Sequence, residues 1–350
     1  MINDKVFKQE GGDNSTNLQG QTIVINNGIT YEDAKGIALD VFKSNYLELS
    51  TKAADTAKQR AEELVDDFLQ QIMARKPEAI STMEDPGMQY AIFSAQKEYA
   101  KTGDKNMSDM LVDILVDRAS LPERNLKQIV MDESLQIVPK LTNSQIDTLT
   151  LVFILRYTQN HGISNLLSFK NYLLQYLNPF INTLSKENSL YQHIEYTGCG
   201  AVGLGEIKIE DIFLRTYSGL FSKGFTIDEL KTIINDYEKY PEMYTTCLQD
   251  NLKLQINAIS EDVIEDKLKR HNTNADVINK FKTLFNQHQM NTNEVKSYLE
   301  KETSFMKDLL DFWDNSSMKH LTLTSVGIAI ATANLRRKTG ISVDLDIWIK

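Results

Sequence analysis

Gln145-Ile146-Asp147-Thr148-Leu149-Thr150-Leu151-Val152-Phe153-Ile154-Leu155-Arg156-Tyr157-Thr158-Gln159 is the stretch that decides the fold. Its apolar residues fall nearly all round a helix instead of along one stripe, so a helix over 144–160 has to be enclosed by other helices. The run is too short, and too firmly bounded by polar residues, to cross a membrane. It is therefore expected at the centre of a helical domain.

Helical signals extend to both sides. Asp85-Pro86 reads as a helix start with proline in the first turn, leading into Met88–Lys101, and Thr102-Gly103-Asp104 reads as its end. Further helices are predicted at about 107–119, 122–138 and 165–184, the last kinked at Asn178-Pro179. Upstream, Thr30 with Asp33 resembles a helix cap, and from Tyr31 to about Lys76 there is no proline and only one glycine, Gly36. Ala34, Ile37, Ala38, Val41, Phe42, Leu49, Ala53, Ala57, Ala61, Leu64, Phe68 and Ile72 recur mostly at spacings of three and four. That predicts one very long N-terminal helix, or two nearly continuous ones, roughly 69 Å long at about 1.5 Å per residue if unbroken. Its alanine-rich middle permits close approach of a second helix, from this chain or from another copy.

Residues 1–29 read as a flexible Gly/Asn-rich leader carrying one short strand at 21–25, ended by an Asn27-Gly28 turn. A lone strand is unstable, so Ile23, Val24 and Ile25 need an edge supplied by this chain or a second copy.

After about residue 186 the texture changes. A short helix near 187–195 precedes the glycines at 198, 200, 203 and 205, and Ile207-Lys208-Ile209 alternates as a strand would. Thr226 caps a helix at 227–239, and helices recur near 261–271, 275–288 and 293–314. A small-residue helix ends at Gly340, and 343–349 alternates as a terminal strand. The expected fold is thus mainly α: a leader (1–29), an N-terminal helical domain (30–185), and a second, mostly helical domain (186–350) with minor β at about 207–209 and 343–349.

Composition excludes several classes. With 41% hydrophobic and 25% charged residues the chain belongs with folded globular proteins. A net charge of −10 and a pI near 5.1 give an average surface that repels phosphate and argue against nucleic acid as partner. Arg336-Arg337-Lys338 is the densest basic cluster, and at a helix end it reads as partner of the helix dipole. Two cysteines, Cys199 and Cys247, cannot form a disulfide framework, and no apolar leader or spanning run is visible in the chain. A cytoplasmic location, without a membrane partner, is the expectation.

Gly198-Cys199-Gly200-Ala201-Val202-Gly203 matches G-x-G-x-x-G, but loop and strand follow it where a dinucleotide site needs a helix. Close backbone packing is the simpler reading. The five histidines have no metal-ligand spacing, and neither cofactor nor metal is predicted. His193, Cys199, Glu195 and Glu206 are the local set of base-like, nucleophile-like and carboxylate groups, hence the catalytic candidates. Glu62-Glu63 and Asp66-Asp67 read as a solvated helix face.

Gly12-Asp13-Asn14-Ser15, Gln19-Gly20, Ile23-Val24-Ile25-Asn26-Asn27-Gly28, Tyr31-Glu32-Asp33 and Ala38-Leu39-Asp40-Val41-Phe42-Lys43 resemble a family of uncharacterised bacterial proteins. The C-terminal Leu323-Thr324-Ser325-Val326-Gly327-Ile328-Ala329-Ile330-Ala331 and Asp346-Ile347-Trp348-Ile349 resemble that family's ending. The resemblance implies no activity and no catalytic residue. It implies only a setting, since such leaders precede helices in multidomain bacterial proteins associated with defence against phage.

Three functional expectations follow. The leading one is a self-associating interaction, scaffold or sensor protein using Ile23, Val24, Ile25, Ala53, Ala57, Ala61, Leu64 and Phe68. The second is an enzyme or ligand-binding protein with a site near Gly198–Gly205. The third is a conditional membrane-active effector acting through 321–333.

Overall fold

The computed structural model describes the backbone of residues 31–350 except 122–123, and side chains from Ser50 onward with the same gap. The expected strand at 21–25, with Ile23, Val24 and Ile25, lies outside the described residues. The chain divides into two units, Met1–Lys58 and Gln59–Lys350. In the first, the described backbone from residue 31 on is helical and belongs to α1 (Tyr31–Arg75).

The protein is mostly helical. In the second unit the end of α1 is followed by α2 (Pro86–Thr102), α3 (Lys105–Ala119), α4 (Leu126–Ile137), α5 (Asn143–Tyr157), α6 (Leu166–Tyr172) and α7 (Asn188–Tyr196). Then come β1 (Gly200–Val202), α8 (Ile209–Thr216), α9 (Ile227–Ile233), β2 (Tyr244–Thr246), β3 (Leu254–Ile256), α10 (Glu261–Arg270) and α11 (Ala275–Gln287). The chain continues with α12 (Thr292–Glu302), α13 (Ser304–Asp314), β4 (Leu321–Leu323) and α14 (Ser325–Thr339).

Local chemistry sets several boundaries as expected. Asp85 accepts from Met88 N at 2.8 Å to start α2, and Gly103, at φ 68, ends it in the left-handed region that glycine enters without strain. Thr324 caps α14 by accepting from Gly327 N at 3.2 Å, and Gly340 closes it at φ 73. The kink expected at Asn178-Pro179 is a tight turn, Asn178–Phe180, after a widened one, Leu173–Leu177. Thr226 starts α9, which stops at Ile233 and so falls short of 239.

The small strands lie elsewhere than expected. β1 pairs antiparallel with β4 and β2 with β3. Ile207-Lys208-Ile209 is no strand: Ile207 N donates to Lys319 O, Lys208 is the cap of α8, and Ile209 opens that helix. The 343–349 run is not a strand either. Leu345 and Ile349 are buried four residues apart while Ile347 is 65% exposed, a helical spacing realised in the short turn Leu345–Ile347.

One continuous core runs from Leu64 to Ile349, across the domain boundary expected near residue 186. Its centre is α5 packed on α14, which also meets α3 and α4. Both central helices are enclosed: α5 is buried from Gln145 to Leu155 and α14 from Val326 to Leu335. The 321–333 segment is thus β4 and the buried start of α14. Among the described residues no helix is long and apolar enough to cross a membrane. A second, smaller core joins Phe225, Met243 and Ile256 to Phe281 and Phe285 around α9, β2, β3, α10 and α11.

Candidate functional site

The glycine loop is a packing device. A Cβ on Gly327 of α14 would stand 1.9 Å from Cys199 O, and one on Gly200 would stand 2.6 Å from Thr322 O. Main chain meets main chain there, and Thr324 N donates to Cys199 O at 3.1 Å. The expected catalytic set has separate partners. His193 Nδ1 lies 2.8 Å from Gln145 Nε2, Glu195 accepts from Val202 N at 2.7 Å, and Glu206 pairs with Lys319 at 3.2 Å. Cys199 is fully buried beside Thr197, and burial pushes its thiol up, away from the nucleophilic thiolate.

Two of the residues expected on a self-association stripe, Leu64 and Phe68, are fully buried in the chain's own core together with Ile72. The apolar periodicity continues there because the end of α1 lies against α2, where Tyr99 donates to Glu63 at 3.0 Å and Gln96 to Ala61 O at 3.3 Å. Ala61 is half-buried in the same stretch, and Ala53 and Ala57 belong to the first unit.

The richest chemistry converges on a cleft of about 520 Å³ lined by the end of α1, one face of α3 and the end of α14. On the α3 side, Asp109, Asp113 and Asp117 recur every four residues on a helix whose other positions are largely core. Arg75 of α1 donates to Asp113 at 2.5 Å and to Asp117 at 3.3 Å, while Arg336 of α14 donates to Asp117 at 3.0 Å. Lys105 holds Asp67 at 2.5 Å and Glu63 at 3.1 Å, with Asp109 at 3.8 Å. So the Glu63–Asp67 pair faces a lysine. Burial pushes the Asp113 carboxyl up against the pull of Arg336 and Arg75, and pushes Asp109 up against the pull of Lys105 and Arg337.

Arg337 is different. It donates to Asn106 Oδ1 at 3.0 Å and Asn334 Oδ1 at 2.9 Å, and makes no ion pair among the described residues. Two neutral amides hold it, using two of the five N–H groups that a guanidinium offers. A further donor, Nε, is buried without a partner among the described residues.

Behind the cleft the network enters the core. Asn334, fully buried, donates to Asp147 at 2.9 Å and Thr150 at 2.9 Å; Lys338 reaches Asp147 at 2.7 Å, and Thr183 donates to it at 2.5 Å. Asp147, 1% exposed, sits on the central helix α5. The Arg336-Arg337-Lys338 cluster therefore turns inward, against side chains of α3 and α5, and is not a free basic patch. Sequence reading missed this site, although carboxylates repeating every fourth residue on a buried helix signal cations brought by another element.

Fold and cleft together define the class: a mostly helical protein with a charged cleft at the joint of three helices, backed by a buried polar network. The chain belongs to a protein family of uncharacterised type, whose model matches residues 28–349. No curated protein and no solved structure matches it.

Proposed function

We propose that the protein is a sensor that binds a small ligand through an anionic group in the α1/α3/α14 cleft. One observation carries this reading: Arg337 lines the cleft with its guanidinium held by neutral amides, whereas the cations beside it, Arg75, Arg336 and Lys105, are each paired to carboxylates. A preorganised cation with no paired acid among the described residues favours an incoming carboxylate or phosphoryl group, by bidentate geometry as well as by charge. The cleft also has the volume usual for small-molecule sites. The test is a thermal-shift panel of small carboxylates and phosphate monoesters. Wild type is expected to melt higher with at least one of them and Arg337→Gln with none; a variant that responds like wild type ends this reading.

A second reading, self-association, is favoured by a different surface. Tyr90 and Phe93, 67% and 59% exposed, lie three residues apart on one face of α2. We propose that a second copy covers them, aided by residues 1–29. Light scattering is expected to give a multimer that shrinks on deleting 1–29 or on joint Tyr90→Ser and Phe93→Ser substitution. A full-length monomer contradicts it.

A further inference from the structure

We infer, resting on the anion reading above, that the ligand is a free α-amino acid whose carboxylate sits on Arg337 and whose ammonium sits on Asp109. The geometry comes from α3. Asn106, Asp109 and Asp113 share one face at spacings of three and four, so Asp109 stands one turn, about 5 Å along the axis, from Asn106. Arg337 is moored to Asn106 on one side of that turn, and Arg336 to Asp117, with Asp113 3.6 Å away, on the other.

Asp109 lies between these moorings, and neither guanidinium touches it. Its carboxylate feels the charge of Arg337 without an ion pair to it, and its own ion pair is the long one to Lys105, which holds Asp67 and Glu63 more closely. The cleft thus presents a cation and an anion that attract each other across a gap they do not close. A ligand carrying both charges closes it, with each pole meeting its opposite.

Charge also selects against the alternatives. Lys105 answers Asp67, and Arg75 and Arg336 answer Asp113, so the lining leaves a ligand one cation, Arg337, and one weakly paired carboxylate, Asp109. An amine alone leaves Arg337 to its two amides, and a simple anion leaves Asp109 with its long pair to Lys105. Gln71, Val112 and Ser342 complete the lining, a mixed surface for the side chain of the amino acid. Burial pushes the Asp109 carboxyl up, and an ammonium placed beside it relieves that cost.

The experiment is titration calorimetry on the full-length protein with the common L-amino acids, followed for the best binder by its desamino and decarboxy analogues. Wild type is expected to bind the amino acid at least about tenfold more tightly than either analogue, the loss of one charge-assisted contact. Asp109→Asn is expected to weaken binding of the amino acid and not of the desamino acid, which loses a like charge from its surroundings, so that the preference for the amino acid disappears. Arg337→Gln is expected to weaken both. Asp109 is half-exposed and caps no helix, so its substitution spares the fold; unfolding curves of each variant check this. If the desamino acid binds as tightly as its parent, or Asp109→Asn leaves the amino acid's affinity intact, the amino-acid inference falls and the anion reading survives. If no amino acid, no carboxylate and no phosphate monoester binds, both fall.

Discussion

Replacing Asp147 with alanine is expected to lower the stability of the main core by about 3–5 kcal/mol, the cost of stranding a buried ion's partner. The carboxylate is 1% exposed and accepts from Asn334, Thr183 and Lys338. Its removal takes the charged acceptor from an ammonium and a fully buried amide, leaving them Pro179 O and Thr150 Oγ1. Lys338 keeps 22% of its side chain exposed and regains part of its solvation, which holds the loss toward the lower end. Joint replacement, Asp147→Leu with Lys338→Met, is expected to cost less than Asp147→Ala alone, because it removes both charges and not one. Urea unfolding followed by tryptophan fluorescence measures both, since Trp313 and Trp348 belong to this core. Equal stability of wild type and Asp147→Ala would mean that the network fastens nothing.

The second large effect is expected at Gly327. An alanine there puts its Cβ 1.9 Å from Cys199 O and 2.9 Å from Cys199 C, contacts that require two stretches of main chain to separate. Overpacking of a core costs about 1–3 kcal/mol, and a backbone obstacle that cannot rotate away places this case at or above the upper end. The helix that would be pushed out is α14, which carries Asn334, Arg336, Arg337 and Lys338 into the cleft and the buried network. Gly327→Ala is therefore expected to lower the unfolding midpoint and to weaken ligand binding together. Gly205→Ala is the control: its Cβ meets nothing within 4 Å, and a change within about 0.5 kcal/mol is expected.

What was legible in the sequence is what local chemistry decides. Asp85-Pro86, Gly103, Thr226 and Gly340 mark helix ends because caps and left-handed turns need only neighbours, and the all-round apolar Gln145–Gln159 run declares a buried helix whatever encloses it. Pairing over long distance left no such mark. β1 meets β4 across more than a hundred residues, so Gly200 and Leu323 give no hint of each other, whereas the alternation at Ile207–Ile209 looks like a strand and is a helix start, with Ile207 pinned by Lys319 and Lys208 as the cap. The site escaped for the same reason. Arg336, Arg337 and Lys338 end a helix, and the dipole accounts for them until α3 and α5 bring Asn106, Asp117 and Asp147 to them. In the same way, the stripe at Leu64 and Phe68 reads alike whether it packs within the chain or between copies.

The central claim is that Arg337 in the α1/α3/α14 cleft binds the anionic group of a small ligand. Titration calorimetry of the best carboxylate, phosphate or amino acid from the panels into wild type and Arg337→Gln tests it most directly. Saturable binding to wild type is expected, weakening about 10- to 100-fold in the variant, the worth of one hydrogen-bonded charge. Equal affinity in the two proteins, with Arg337→Gln as stable as wild type, would contradict it.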